Sequence, residues 1–205
     1  MRKILAVLAA ILAVCSVCEA KARFAELPAI GMCTGDYVRY RGLPNTKAEI
    51  YGRMHNGEKV IVESRTSVKG VTWYEILPYG TQNVAFISGK YITPCYDEGV
   101  QRSPAGRLIP EIHKQYYYYD DFNEDGPEIK CTYRDEWLVR VEIWDTENSF
   151  GDVKVGDKVS KLNQFLGEPD ELSSSEYRYI AGDYAVFTFK IHDGKITRMI
   201  YEEVI

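Results

Sequence analysis

Between residues 33 and 95 the chain never runs far without a turn residue. "DYVRYR" stops at Gly42-Leu43-Pro44-Asn45, "AEIYGRM" at Asn56-Gly57, and "EKVIVESRT" at a polar loop with Gly70. "VTWYEILPY" leads to Gly80-Thr81-Gln82-Asn83, and then come "VAFIS" and "KYIT". Short runs of β-branched and aromatic residues between Gly, Pro and Asn are strand and hairpin signals. No helical period competes with them. Several short strands in so few residues suit a small barrel, which leaves no free edges.

Apolar residues make up 45% of the chain and charged residues 27%, an ordinary globular balance. The 16 tyrosines are unusual, and tyrosine suits strands whose rings pack while their hydroxyls stay wet. A formal net charge of -5 argues against nucleic acid, which demands a basic face.

Residues 1–20 read as a signal peptide. Arg2 and Lys3 precede the apolar "ILAVLAAILAV", and small residues at Cys18 and Ala20 place a cleavage site before Lys21. A retained anchor and lipidation at Cys15 or Cys18 are the alternatives, although Val14 is bulky where a lipidation signal prefers a small residue. Once this segment is removed, no membrane span is expected. The protein is therefore expected to be exported: periplasmic, attached to the cell envelope, or secreted. Cys33, Cys95 and Cys131 remain, an odd number without a C-x-x-C pair.

The order of residues in 34–94 resembles a bacterial SH3 domain. Val38 and Arg39, Pro44 and Asn45, Ile50 and Gly52, Gly57, Val60 and Val62, Trp73 and Tyr74, and Tyr91 and Ile92 carry the likeness. Ala85-Phe86 departs from it, where the family has a glycine before an aromatic. The resemblance implies a barrel over 33–95 whose terminal strands meet. It thereby implies a Cys33–Cys95 disulfide, worth about 4 kcal/mol in the chain-entropy model; two unpaired cysteines are the alternative. It also implies a groove for cell-wall peptide or for a partner's extended segment. Tyr40, Trp73 and Tyr91 are its candidate ligand-binding residues, with core packing as their competing role.

Residues 96–112 hold two prolines and two glycines and read as a linker. The second unit, 113–205, contains a weak repeat at a spacing of 58. It lays "TYRDEWLVRVEIWD" on "KIHDGKITRMIYEE", with Asp135 on Asp193, Leu138 on Ile196, Arg140 on Arg198 and Val141 on Met199. Each copy reads as a hairpin, the second turning at Asp193-Gly194. Between them "GDKVSKLNQFLGEPD" predicts a helix. Its N-cap is Asp157, its apolar stripe Val159, Leu162, Phe165 and Leu166, and its stop Gly167. Val155, Gly156, Leu166, Gly167 and Pro169 are similar to exported β-lactamase-inhibitor-like and outer-membrane assembly lipoprotein domains. That similarity implies protein binding. The expected fold is thus two small domains: an all-β SH3-like barrel, then an α+β unit with an antiparallel sheet and one main helix.

Little in the chain points to catalysis. Asp121, Asn123, Asp125 and Gly126 begin a calcium-loop pattern, but Thr132 stands where a bidentate Glu belongs. An acidic turn competes with that reading, and "YYYY" before it resembles a strand. His55, His113 and His192 are far apart, none at a metal-ligand spacing. No nucleophile signature is present, and nothing calls for a cofactor. The expectation is an exported, non-catalytic binding protein whose partner is peptidoglycan or an envelope protein. The alternative is an adaptor or inhibitor acting through the C-terminal domain.

Overall fold

A computed structural model describes residues 23–78, 83–116 and 128–204. Residues 1–20, read above as a signal peptide, and the calcium candidates Asp121, Asn123 and Asp125 lie outside the described residues. The chain is mostly β, in antiparallel sheets with few helices. No helix among the described residues is long and apolar enough to cross a membrane.

The N-terminal sheet has seven strands: β1 (Ala29–Cys33), β2 (Val38–Arg41), β3 (Ile50–Met54), β4 (Lys59–Val68), β5 (Val71–Leu77), β6 (Ala85–Ser88) and β7 (Ile92–Pro94). Six of them fall on the runs read from sequence. Lys69 and Gly70, at φ 52° and 77°, form the two-residue β4–β5 turn, a geometry that matches the strand twist. The order β3-β2-β6-β5-β4-β1-β7 is open, so the expected barrel is not closed. β1, which precedes the segment read as a barrel, pairs with β4 and places β7 beyond it. The edges β3 and β7 therefore never meet.

The same register corrects the expected disulfide, which Cys33 and Cys95 do not form. Cys33 lies opposite Ile92, whereas Cys95 donates its N–H to Ile30 O at 2.9 Å. The two cysteines are three positions out of step, roughly 10 Å along the strands, beyond the reach of a disulfide. The odd offset also sends them to opposite faces. Cys33 enters a small core with Val60, Val62 and Ile76, while Cys95 packs against the larger one.

The segment expected to be a linker is helical. Helix α1 (Glu98–Arg102) is capped by Asp97, which accepts the Val100 N–H at 2.9 Å. Helix α2 (Pro104–Tyr116) starts on a proline, whose missing N–H costs nothing there. Ser103 Oγ accepts the Gly106 N–H at 2.9 Å. Ala105, Leu108, Ile109, Ile112, His113 and Tyr116 form its buried face. Tyr116 is thus helical, contrary to the strand read from the tyrosine run. Through this face α2 ties the sheets together, since Ile30 of β1 and Ile61 of β4 share one core with α2 and the C-terminal strands. The two halves expected as separate domains share that core.

The C-terminal sheet comprises β8 (Ile129–Arg134), β9 (Trp137–Ile143), β12 (Glu171–Leu172), β13 (Glu176–Ala181), β14 (Ala185–His192) and β15 (Lys195–Glu203), in the order β12-β13-β14-β15-β9-β8. A small ribbon, β10 (Ser149–Phe150) with β11 (Val153–Lys154), and helix α3 (Val159–Leu166) complete it. α3 stops at Gly167, φ 83°, and buries Leu162 and Leu166. Asp157 is not its cap. Lys158 takes that position, while Asp157 Oδ2 accepts the Lys154 N–H at 2.9 Å and the Lys161 ammonium at 2.8 Å.

The repeat is visible in the pairing itself. A shift of 58 carries Tyr133↔Leu138 onto Ile191↔Ile196, and the bulge between Thr132 and Tyr133 onto that between Lys190 and Ile191. Glu142 pairs with Ile200, its own counterpart. A local two-fold axis therefore runs between β9 and β15.

Candidate functional site

Glu203 ends β15 inside the protein, its side chain only 3% exposed. Burying a carboxylate is costly unless donors surround it, and five side chains do. Oε1 accepts Trp137 Nε1–H at 3.0 Å, His113 Nε2–H at 3.1 Å, the Tyr201 hydroxyl at 3.2 Å and the Tyr96 hydroxyl at 3.3 Å. Oε2 accepts the Lys59 ammonium at 2.9 Å. The donors come from α2, β4, β9, β15 and the turn after β7, so this carboxylate fastens both sheets to the helix.

Burial alone would raise the Glu203 pKa. The hydrogen bond from His113, the Lys59 charge and the hydrogen bond from Trp137 outweigh it and hold the carboxyl at about 2. Burial, opposed by Glu203, lowers His113. Its Nδ1 is buried with no hydrogen-bond partner among the described residues. A neutral ring leaves only an unfilled lone pair there, whereas an imidazolium would bury an unpaired N–H. Burial foremost, with the Glu203 charge adding to it, pushes the Tyr96 and Tyr201 hydroxyls well above their usual value. They stay protonated and donate.

The network reaches solvent through two of its members. The Lys59 side chain is 32% exposed, and its ammonium sits 5.2 Å above the centre of the Trp137 ring. Trp137 stacks in turn on His113 at 4.3 Å. Lys59, Trp137 and Glu203 line a cleft of about 640 Å³ between the N-terminal sheet and the tip of the β8–β9 hairpin, within the size range of ligand sites. Tyr40, Met54 and Val139 add apolar surface. Arg53, Arg134, Glu58, Asp135 and Glu136 line the cleft too, so the rim carries both signs of charge.

Of the three aromatics assigned from sequence, Tyr40 alone lines this cleft. It stands across from Gly52, where any side chain would collide with its ring. Trp73 is 4% exposed. Tyr91 packs against the small core, with the Lys90 ammonium 4.5 Å from its ring centre. His55 is exposed and bonds Asp36 at 2.8 Å, and His192 lies on the surface. Among the described residues no cluster of three or more His, Cys, Asp or Glu could hold a metal. Sequence reading missed His113, Glu203, Lys59 and Trp137. One available signal was the spacing Leu108-Ile109, Ile112-His113, Tyr116, which buries a histidine on an apolar helix face.

No protein-family model, curated protein or solved structure matches the chain. Its own geometry has to carry the functional reading.

Proposed function

We propose that this is an exported, non-catalytic binding protein of the cell envelope, and that the cleft over Lys59 and Trp137 seats its ligand. The single observation behind this is a roomy cleft with a fixed floor. Lys59 and Trp137 cannot wander because Glu203 holds both, and a preordered floor lowers the entropy cost of binding. An extended peptide carrying carboxylates and amines suits the mixed rim, as a cell-wall peptide stem or a partner's segment would. Catalysis finds less support. His113, the titratable group closest to a general base, is sealed from solvent and beyond any substrate's reach.

The alternative is an adaptor or inhibitor working through the outer face of the C-terminal sheet. That face is tiled with ion pairs: Glu171 with Arg178, Glu176 with Lys190, Glu142 with Arg198, and Arg140 with Glu202. Charges already satisfied by neighbours offer a partner little, so this reading stands second.

Titrating soluble muropeptides by calorimetry tests the proposal. Saturable binding is expected, weakened about tenfold, or roughly 1.4 kcal/mol, by Tyr40→Ala or Arg53→Ala. Leu172→Ser, on an exposed strand away from the cleft, should leave it unchanged. Absence of saturable binding, or indifference to both cleft variants, would overturn the proposal.

A further inference from the structure

A second concavity, of about 690 Å³, is lined by the β4–β5 hairpin and the turn after β6 and shares no lining residue with the first. Three cations line it, Arg23, Arg65 and Lys90, and no carboxylate does. They arrive from three separate elements. Arg65 stands opposite Tyr74 across the β4–β5 ladder. Arg23 precedes Phe24, whose ring packs edge-on against Tyr74 at 5.0 Å. Lys90 sits in the single 3₁₀ turn Gly89–Tyr91.

Both guanidinia lie close enough to act on the Tyr74 hydroxyl. Burial raises that group, and Arg65 and Arg23 both pull it back. Neither arginine makes an ion pair among the described residues, a state they share with Arg39, Arg41, Arg53 and Arg134; what sets them apart is that they converge on one concavity with Lys90. The nearest acidic neighbour along β5, Glu75, turns to the opposite face, where Ser64 Oγ donates to it at 2.5 Å. Three cations lining one concavity without a carboxylate, in a chain of formal charge -5, are a local feature and not a background. Hydroxyls of Ser67, Thr72 and Ser88 supply further donors.

We infer that this concavity binds a phosphate-bearing anion. Guanidinium forks match phosphate oxygens two at a time, and the volume exceeds one phosphate, which leaves room for a diphosphate or an ester. The site is independent of the cleft over Lys59.

Calorimetric titration with inorganic pyrophosphate at low ionic strength, where exposed charges are least screened, is the test. A dissociation constant at or below about 1 mM is expected. Arg65→Gln should weaken binding about tenfold, and Arg23→Gln with Arg65→Gln should abolish it. Lys195→Gln, on a far hairpin, should change nothing. A second arm uses phosphatidylglycerol vesicles diluted in phosphatidylcholine. Arginine-dependent binding of pyrophosphate alone identifies a soluble phosphate, and arginine-dependent vesicle binding identifies a lipid headgroup. If neither probe binds saturably, or if binding survives the double substitution, the inference is overturned.

Discussion

Glu203→Ala is expected to remove about 3–5 kcal/mol of folding stability, the range seen when one partner of a buried ionic cluster is deleted. The loss is not that of one contact. Lys59 is left as a half-buried ammonium without a counter-charge, and His113, Trp137, Tyr96 and Tyr201 lose their common acceptor. Urea unfolding followed by tryptophan fluorescence reads the effect directly. The pH dependence has a defined sign. Glu203 titrates at about 2 in the folded chain against an ordinary 4.5. Its contribution, about 3 kcal/mol at 1.36 kcal/mol per pKa unit, is complete above pH 4.5 and lost as pH falls toward 2. His113 also sits below its ordinary 6.5. The unfolded chain therefore takes up that proton first, and stability starts to decline below pH 6.5. Glu203→Gln should flatten the acid limb while keeping the side chain's shape. An acid limb identical to the parent's would contradict the reading of Glu203.

Gly106→Ala is the second large effect, and its sign runs against helix propensity. In an exposed helix interior this change gains up to about 1 kcal/mol. Here the added Cβ would fall 1.8 Å from the backbone oxygen of Val100 and 2.7 Å from its carbonyl carbon. Backbone cannot step aside as a side-chain tip can, so a loss of about 2 kcal/mol or more is expected. The damage should spread. α1 is tied to Tyr96 through Gln101 Nε2, which donates to Tyr96 O at 2.7 Å, and Tyr96 is one of the Glu203 donors. Unfolding midpoints that rise in Gly106→Ala would show that the α1–α2 corner is looser than described.

What could be read in advance follows from the range of the interactions. The strands from Val38 to Pro94 declare themselves because β-branched runs and turn residues act locally, and α3 does so through a stripe and a terminal glycine. The repeat at spacing 58 predicts paired hairpins, and the bulges recur at equivalent positions. Topology is non-local. Nothing near β4 says that β1 will take its edge, and that pairing leaves the sheet open. Parity defeats the disulfide in the same way, since a three-position offset separates two cysteines that look adjacent in outline. α2 was hidden by composition. Pro104 and Gly106 read as breakers, yet one sits where helices accept proline and the other where the backbones nearly touch. Strand alternation could not separate Tyr40, which lines a cleft, from Trp73, which is buried. Glu203 and His113 could not be paired, being 90 residues apart, and a buried charge leaves no local mark.

The cleft exists only if the two sheets behave as one body. Native-state hydrogen exchange over a urea series measures this most directly. The slowest amides of β4–β5 and of β14–β15 should converge on one opening free energy with one urea dependence, and Glu203→Gln should lower both together. Two separate isotherms, with the N-terminal sheet opening while the C-terminal sheet stays protected, would contradict the shared core and with it the fixed floor of the cleft.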